Sequence, residues 1–300
     1  MNFDIKTHAR KYAPVYGEHD FSDHLPMTMT ALDKIGADGD TSARFARIYA
    51  KRLRRKKVGE KSIDPLLLSA RAGDPSVYPQ ALNFFGEAIE RDGRAAVLAA
   101  YLPELTNSIA TAAFHGIIRT AYGLIANEDA EIAAGLAYWW SRAEPVSFTR
   151  SIGAANNDAD TLVDDVAAAF KRYGKKLNLD QPTISARMAE VFTHPRIGAA
   201  LNKAAAADVS FDKIAAQALR IYLATDDFTA LHCVTGVHAA RVLSEHVVMN
   251  DVDLRKSLWG GLCAAYASIG APEPAALTPA PAKAPDWHVI FSAAQSSDDE

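Results

Sequence analysis

The sequence predicts an all-α fold: one multi-helix domain over residues 1–270, an extended Pro/Ala-rich segment over 271–285, and a short docking segment over 286–300. Three observations predict it. Apolar residues recur at three- and four-residue spacing in segment after segment, which is the helical period. Alternating β-branched runs closed by tight turns are nearly absent. From Ala271 the texture changes to APEPAALTPAPAKAP, where Pro and Ala without period read as an extended linker.

Along the chain, residues 1–21 read as irregular, with Pro14 and Gly17. Asp23 offers an N-cap, Pro26 fits the first turn, and Met27 to Ile35 carry a helix that Gly36 ends. Thr41 to Arg55 form a second helix. Residues 56–76 read as a long loop, a length that points to a functional segment or a cover over a site. Helices then span Tyr78 to Arg91, closed by Asp92-Gly93, and Arg94 to Tyr101, stopped before Pro103. Ser108 to Asn127 reads as one long helix containing Gly116 and Gly123. Glu128 to Ser141 is another, ending in Tyr138-Trp139-Trp140. Asp158 to Tyr173 is cleanly amphipathic, with Asn156-Asn157-Asp158 as its loop and cap. Shorter helices fit 183–192, 196–206 and 211–224, and Phe228 to Met249 and Val252 to Ile269 follow. Asp286 can cap a last short helix, with Trp287 and Phe291 docking on the body.

Composition bounds the function. With 300 residues, 49% hydrophobic and 23% charged, the chain can bury a sizeable core. A formal net charge of −4 argues against nucleic acid as a partner. The basic run Lys51-Arg52-Leu53-Arg54-Arg55-Lys56-Lys57 reads as a solvated helix end or as a phosphate or cofactor contact. The two cysteines, Cys233 and Cys263, lie in apolar helical patterns without a CxxC, and MNFDIKTHARKY is no signal peptide. No apolar run reaches the roughly 18 residues of a membrane span. These features predict a cytoplasmic protein with reduced thiols and no membrane partner.

Short catalytic motifs are missing: no GxGxxG after a strand, no P-loop, no HExxH, no GxSxG. Chemistry must rest on dispersed residues, and the nine histidines are the best lead. His24 sits at a helix start, His115 within AFHGIIR, and His232 near the start of a helix in LHCVTG. His232 and His238 point about 120° apart on one helix, and His246 lies about 21 Å from His232 along the axis, so at most one of these three joins a given site. His232 shares its face with small residues; His238 and His246 sit near Arg241 and Glu245 and read as solvated or ion-paired. His115 has Arg119 one turn later and Tyr122 two turns later on one face. Gly116 beside it opens space for a ligand or for another helix. His24, His115 and His232, from three separate helices, can converge on a metal, and imidazoles suit iron, zinc or copper. Asp20 and Asp23 are candidate partners for a ring N–H.

At these residues the chain resembles the questin oxidase-like family. The stretches that carry the likeness are HLPMT at 24–28, Tyr78-Pro79 with Phe84-Phe85, AFHGIIR at 113–119 with Ala121-Tyr122, Glu131 to Trp139, LHCVT at 231–235, and Asp286-Trp287 with SDDE at 297–300. The likeness runs from about residue 10 to the end, and its specificity comes from the number and order of short motifs. It implies an all-helical fold and oxygen-dependent, Baeyer–Villiger-like opening of an anthraquinone or similar aromatic polyketide ring. Related fungal proteins look like non-haem iron enzymes with several histidine ligands and a carboxylated lysine. By that likeness His24, His115 and His232 carry over as ligands. Two departures stand out. The relatives tend to have a second histidine where this chain has Arg119 and another near Thr28, and they tend to continue past the SDDE stretch into a helix with His and Lys; neither Lys256 nor Lys283 matches that place.

The leading expectation is therefore an oxygenase, a monooxygenase or dioxygenase. It would hold non-haem iron or another transition metal on His24, His115 and His232 and act on a small aromatic substrate and oxygen. Arg119 and Tyr122 would hold a substrate oxyanion or phenol. Tyr138, Trp139, Trp140 and Phe114 wall an apolar pocket or simply pack the core. The alternatives are a metal-free oxidoreductase using NADPH and a non-catalytic helical ligand-binding protein.

Overall fold

Helical periodicity becomes fifteen α-helices and one small sheet in the computed structural model, which describes residues 5–56, 61–144, 158–247, 250–276 and 285–297. In order these are α1 (Ile5–Lys11), β1 (Tyr12–Tyr16), β2 (Phe21–Ser22), α2 (Leu25–Lys34), α3 (Gly39–Tyr49), β3 (Leu53–Arg55) and α4 (Pro65–Ala70). Next come α5 (Tyr78–Asp92), α6 (Arg94–Leu105), α7 (His115–Ala126), α8 (Asp129–Ser141), α9 (Ala159–Tyr173), α10 (Ile184–Phe192) and α11 (Pro195–Ala205). Helices α12 (Phe211–Thr225), α13 (Phe228–His246), α14 (Asp251–Ser268) and α15 (Trp287–Ser296) complete it. The helices form a single helical domain. Among the described residues, no helix is long and apolar enough to cross a membrane.

Helices α7 and α8 form the centre, and glycines let their backbones approach. A Cβ on Gly116 would lie 2.4 Å from Trp139 Cγ, and one on Gly135 would lie 2.6 Å from the backbone nitrogen of Thr120. Gly116 thus makes room for a helix, not for a ligand. The indoles of Trp139 and Trp140 are buried and satisfied, donating to the carbonyls of Ser108 (3.2 Å) and Leu68 (2.8 Å). Burying aromatic rings with their N–H groups paired gives a large apolar gain without an orphaned donor. Around this pair lie α5, α13 and α14, whose buried residues join one continuous core.

Most helices lie where their caps and periods put them. Asp38, Asp158, Thr183, Ser210 and Asp227 each accept a bond from a backbone N–H of the first turn. Asn156 and Asn157 fall outside the described residues, as does Met249.

Five expectations change. Residues 12–16 form β1, the middle strand of the antiparallel order β2-β1-β3, with Val15 opposite Ser22 and Tyr12 opposite Arg55. The second helix accordingly ends at Tyr49, and Leu53–Arg55 become β3, where Arg54 bonds Asp20 and the carbonyl of Gly17. Cross-strand partners outweigh local helix propensity there. Residues 57–60 of the expected loop 56–76 lie outside the described residues; the rest contains α4 and packs against Trp140, with Gly73 N donating to Trp140 O at 2.9 Å. Helix α6 runs through Pro103 to Leu105; the proline sits in the last turn, where only one ladder bond is lost. Finally, α15 docks through Gln295, whose Nε2 donates to Ile35 O at 2.8 Å, while Trp287 remains 69% exposed.

The largest departure matters for function. The expected helix from Ser108 is broken, and α7 begins at His115. Ala112, Ala113 and Phe114 all have positive φ, at 49°, 55° and 64°. Three consecutive left-handed non-glycine residues are costly, at about 1–2 kcal/mol each. Packing holds them: the Phe114 ring is fully buried against Gly236 and Gly261, and the Thr111 hydroxyl bonds both the N–H and the carbonyl of Glu144 at 3.1 Å.

Candidate metal centre

The left-handed turn delivers His115 at the first position of α7. Two further imidazoles reach the same point. His24 stands just before α2, with its backbone N–H donating to the Tyr49 hydroxyl at 3.0 Å. His232 lies in the second turn of α13. One ligand nitrogen from each of the three lies within 4.8 Å of the others. His115 Nε2 is 2.7 Å from His24 Nε2 and 3.3 Å from His232 Nε2. The three expected histidines are thus brought together; His238 and His246 are exposed elsewhere, as their helical angles require.

Main-chain carbonyls orient two of the rings. His115 Nδ1 lies 2.5 Å from Ala112 O, and His232 Nδ1 lies 2.7 Å from Phe228 O. A carbonyl can only accept, so each Nδ1 carries the proton and each Nε2 presents a lone pair to the centre. Burial, with the neighbouring imidazoles second, drives the pKa of His115 well below the ordinary histidine value. Burial likewise lowers His232 to about 4, partly opposed by its bond to Phe228 O. Both rings are therefore neutral at pH 7, the form that binds a metal. Two bare nitrogens facing each other at 3.3 Å repel unless a cation lies between them. Nitrogens sharing one ion at about 2.1 Å stand about 3.0–3.4 Å apart. The donor set fits a transition metal, and the carbonyls supply the outer bonds that were expected from Asp20 and Asp23.

Those two aspartates are engaged elsewhere. Asp23 Oδ2 pairs with His8 Nε2 at 2.6 Å, and its Oδ1 accepts from Leu25 N at 3.0 Å. Burial pushes the Asp23 carboxyl up, but His8 and Arg119 outweigh it, and the net shift is downward. Asp20 bonds Arg54 and Arg142, each at 3.1 Å.

The histidines open on a cavity of about 520 Å³, within the usual range for small-molecule sites. Its walls include Tyr16, Phe21, Tyr138, Arg142, Arg187 and Phe228. Phe228 stands edge-on to His232, with ring centroids 4.5 Å apart. Of the expected aromatic wall only Tyr138 lines the cavity; Phe114, Trp139 and Trp140 are core.

Arg119 and Tyr122, expected to hold substrate, are not among the residues that line it. One helical turn carries Arg119 away from the centre to a carboxylate: its Nε and Nη2 reach Glu131 at 2.9 and 3.4 Å, with both side chains 1% exposed. Tyr122, two turns on, lies beside His238, with ring centroids 6.5 Å apart. Sequence reasoning missed Arg142, Arg187 and Phe228. Arg142 ends an aromatic helix, Arg187 sits in an ordinary amphipathic one, and neither carries a local motif.

No curated protein matches the chain. The description of the questin oxidase-like family matches residues 21–300, a span that includes all three clustered histidines, and the chain therefore belongs to the Questin oxidase-like family, as an oxidoreductase resembling questin oxidase.

Proposed function

We propose that this oxidoreductase carries out an oxygen-dependent, Baeyer–Villiger-like ring cleavage of an aromatic polyketide or anthraquinone-like substrate at a histidine-ligated non-haem metal. The supporting observation is the meeting of His24, His115 and His232, with the N–H of His115 and of His232 tied to a carbonyl behind it and the Nε2 lone pairs facing one point. Iron or another transition metal bound there would supply the means of activating dioxygen, which reacts sluggishly with closed-shell organic molecules.

The chain's own residues do the rest. Hydrogen bonds from His115 and His232 to main-chain oxygens fix ring tautomer and direction, so no reorganisation is needed on binding. The aromatic walls Tyr16, Tyr138 and Phe228 offer flat apolar surface for a ring system and exclude water from the centre. The reaction inserts one oxygen atom between a carbonyl carbon and its ring neighbour. The second oxygen leaves as water, taking two electrons and two protons, for which NADPH is the proposed donor.

Metal analysis of purified protein tests the reading. Roughly stoichiometric transition metal is expected, lost in His115→Ala and His232→Ala while the helical circular dichroism persists. Oxygen uptake with a hydroxyanthraquinone, with and without NADPH, tests the reductant. Protein that stays metal-free after incubation with ferrous, zinc and copper ions would reject the centre.

A further inference from the structure

We infer that Arg187 anchors an anionic group of the substrate, so that the cavity selects aromatic acids, as carboxylates or ionised phenols, over their neutral counterparts. The inference deepens the function proposed above and rests on the same cavity. Arg187 projects from α10 into the wall that also holds the three histidines. Its Nη2 donates to Thr229 Oγ1 at 3.0 Å and its Nη1 to Gln181 O at 3.2 Å. Both acceptors are neutral, so these bonds aim the guanidinium without cancelling its charge. They use two of its five N–H groups. Thr229 is buried and stands one helical turn before His232 on α13, which places the anchored cation about one turn from the metal centre.

The rest of the cavity leaves that charge standing. The other arginine of the wall, Arg142, is paired with Asp20, which Arg54 also neutralises. Glu144 is exposed, where water screens it. Among the described residues no carboxylate joins the histidine cluster; Asp227, which accepts from Thr229 N, acts on His232 only from outside it, so a divalent ion bound there would keep much of its charge. With an ion held by the histidines, an anion entering between that centre and Arg187 would meet positive charge on both sides, and a carboxylate matches the guanidinium fork.

Calorimetric titration of the full chain with anthraquinone-2-carboxylate and with its methyl ester tests this. The acid is expected to bind at least about tenfold tighter than the ester. Arg187→Gln, which keeps a neutral donor near Thr229, is expected to remove that preference while leaving ester affinity within about threefold. Arg187→Lys should retain part of it, and carries the test alone if the glutamine variant fails to fold. Equal binding of acid and ester, loss of both in parallel in Arg187→Gln, or no binding of either would overturn the inference. Metal content measured on the same samples reports separately on the histidine centre, and is expected to be equal in wild type and Arg187→Gln.

Discussion

The Nε2 atoms of His115 and His232 face each other at 3.3 Å although the residues are 117 positions apart, and each ring has committed its N–H to a carbonyl on its far side. Ordinary packing seldom brings two lone pairs together in a buried place: His115 Nε2 has His24 Nε2 at 2.7 Å as a donor, but the His115–His232 contact itself gives neither nitrogen a bond to offset lost hydration. A shared cation, as proposed above, would resolve the conflict. The same contact makes the centre sensitive to protons, which compete for the same lone pairs.

The acid side of the stability profile should show that competition. His232 has a pKa of about 4 in the folded protein, lowered mainly by burial, against an ordinary value of 6.5. Between these values the unfolded chain binds the proton and the folded chain does not. Stability is therefore fully present above about pH 6.5 and falls as pH drops towards 4. The loss is about 3 kcal/mol from this group, and His115 acts in the same direction. Urea unfolding of metal-free protein across pH 4–7 should show the slope, and His232→Phe should flatten it. An unchanged slope in that variant would mean that His232 titrates normally.

The turn before His115 should be relieved by glycine. Ala112 has φ 49° and is only half-buried, so Ala112→Gly removes a strained Cβ at little cost in packing. Relief of about 1–2 kcal/mol is partly offset by the greater freedom of unfolded glycine. A net gain of about 0.5–1 kcal/mol is expected in denaturant unfolding. A loss of stability would show that the left-handed turn is unstrained.

How much of this was legible in the sequence depends on whether the cause is local. Helix α9 was legible because Asp158, the amphipathic period and a closing Gly174 all lie within one segment. His24, His115 and His232 were singled out by helical angles and by likeness to a family. Their convergence depends on how three helices pack, which no local pattern encodes. The break at 112–114 was hidden because Ala-Thr-Ala-Ala is a strong helix former, and the forces that override it come from Gly236, Gly261 and Glu144 far along the chain. Arg119 misled for a related reason. Its carboxylate partner, Glu131, lies on the next helix, so the face it shares with His115 was visible and the ion pair was not.

Two glycines should respond in opposite ways to the same substitution. Gly135→Ala drives a Cβ to 2.6 Å from the backbone of Thr120 in the tightest part of the core. Backbone cannot yield as a side chain can, so a loss of about 3 kcal/mol is expected. Gly86, within α5, has nothing within 4 Å of an added Cβ, and Gly86→Ala should stabilise by up to about 1 kcal/mol through helix propensity. Thermal melts of the two variants test the pair, and a well-tolerated Gly135→Ala would contradict the α7–α8 contact.

The Arg119–Glu131 pair should behave as structure and not as substrate-binding machinery. Glu131→Ala leaves a fully buried guanidinium without its carboxylate, beside the Tyr138 ring, and about 3–5 kcal/mol of stability should be lost. Burial lowers the arginine's pKa, but Glu131, together with Tyr78 and Asp23, outweighs it and the net shift is upward, so the charge persists and must be matched. Replacing both partners together, as Arg119→Met with Glu131→Leu, removes both desolvation costs and should recover most of the loss. The double variant should also keep its metal, because neither side chain lines the histidine cavity. Loss of metal from a well-folded double variant would instead place the pair in direct support of His115, one turn away on the same helix.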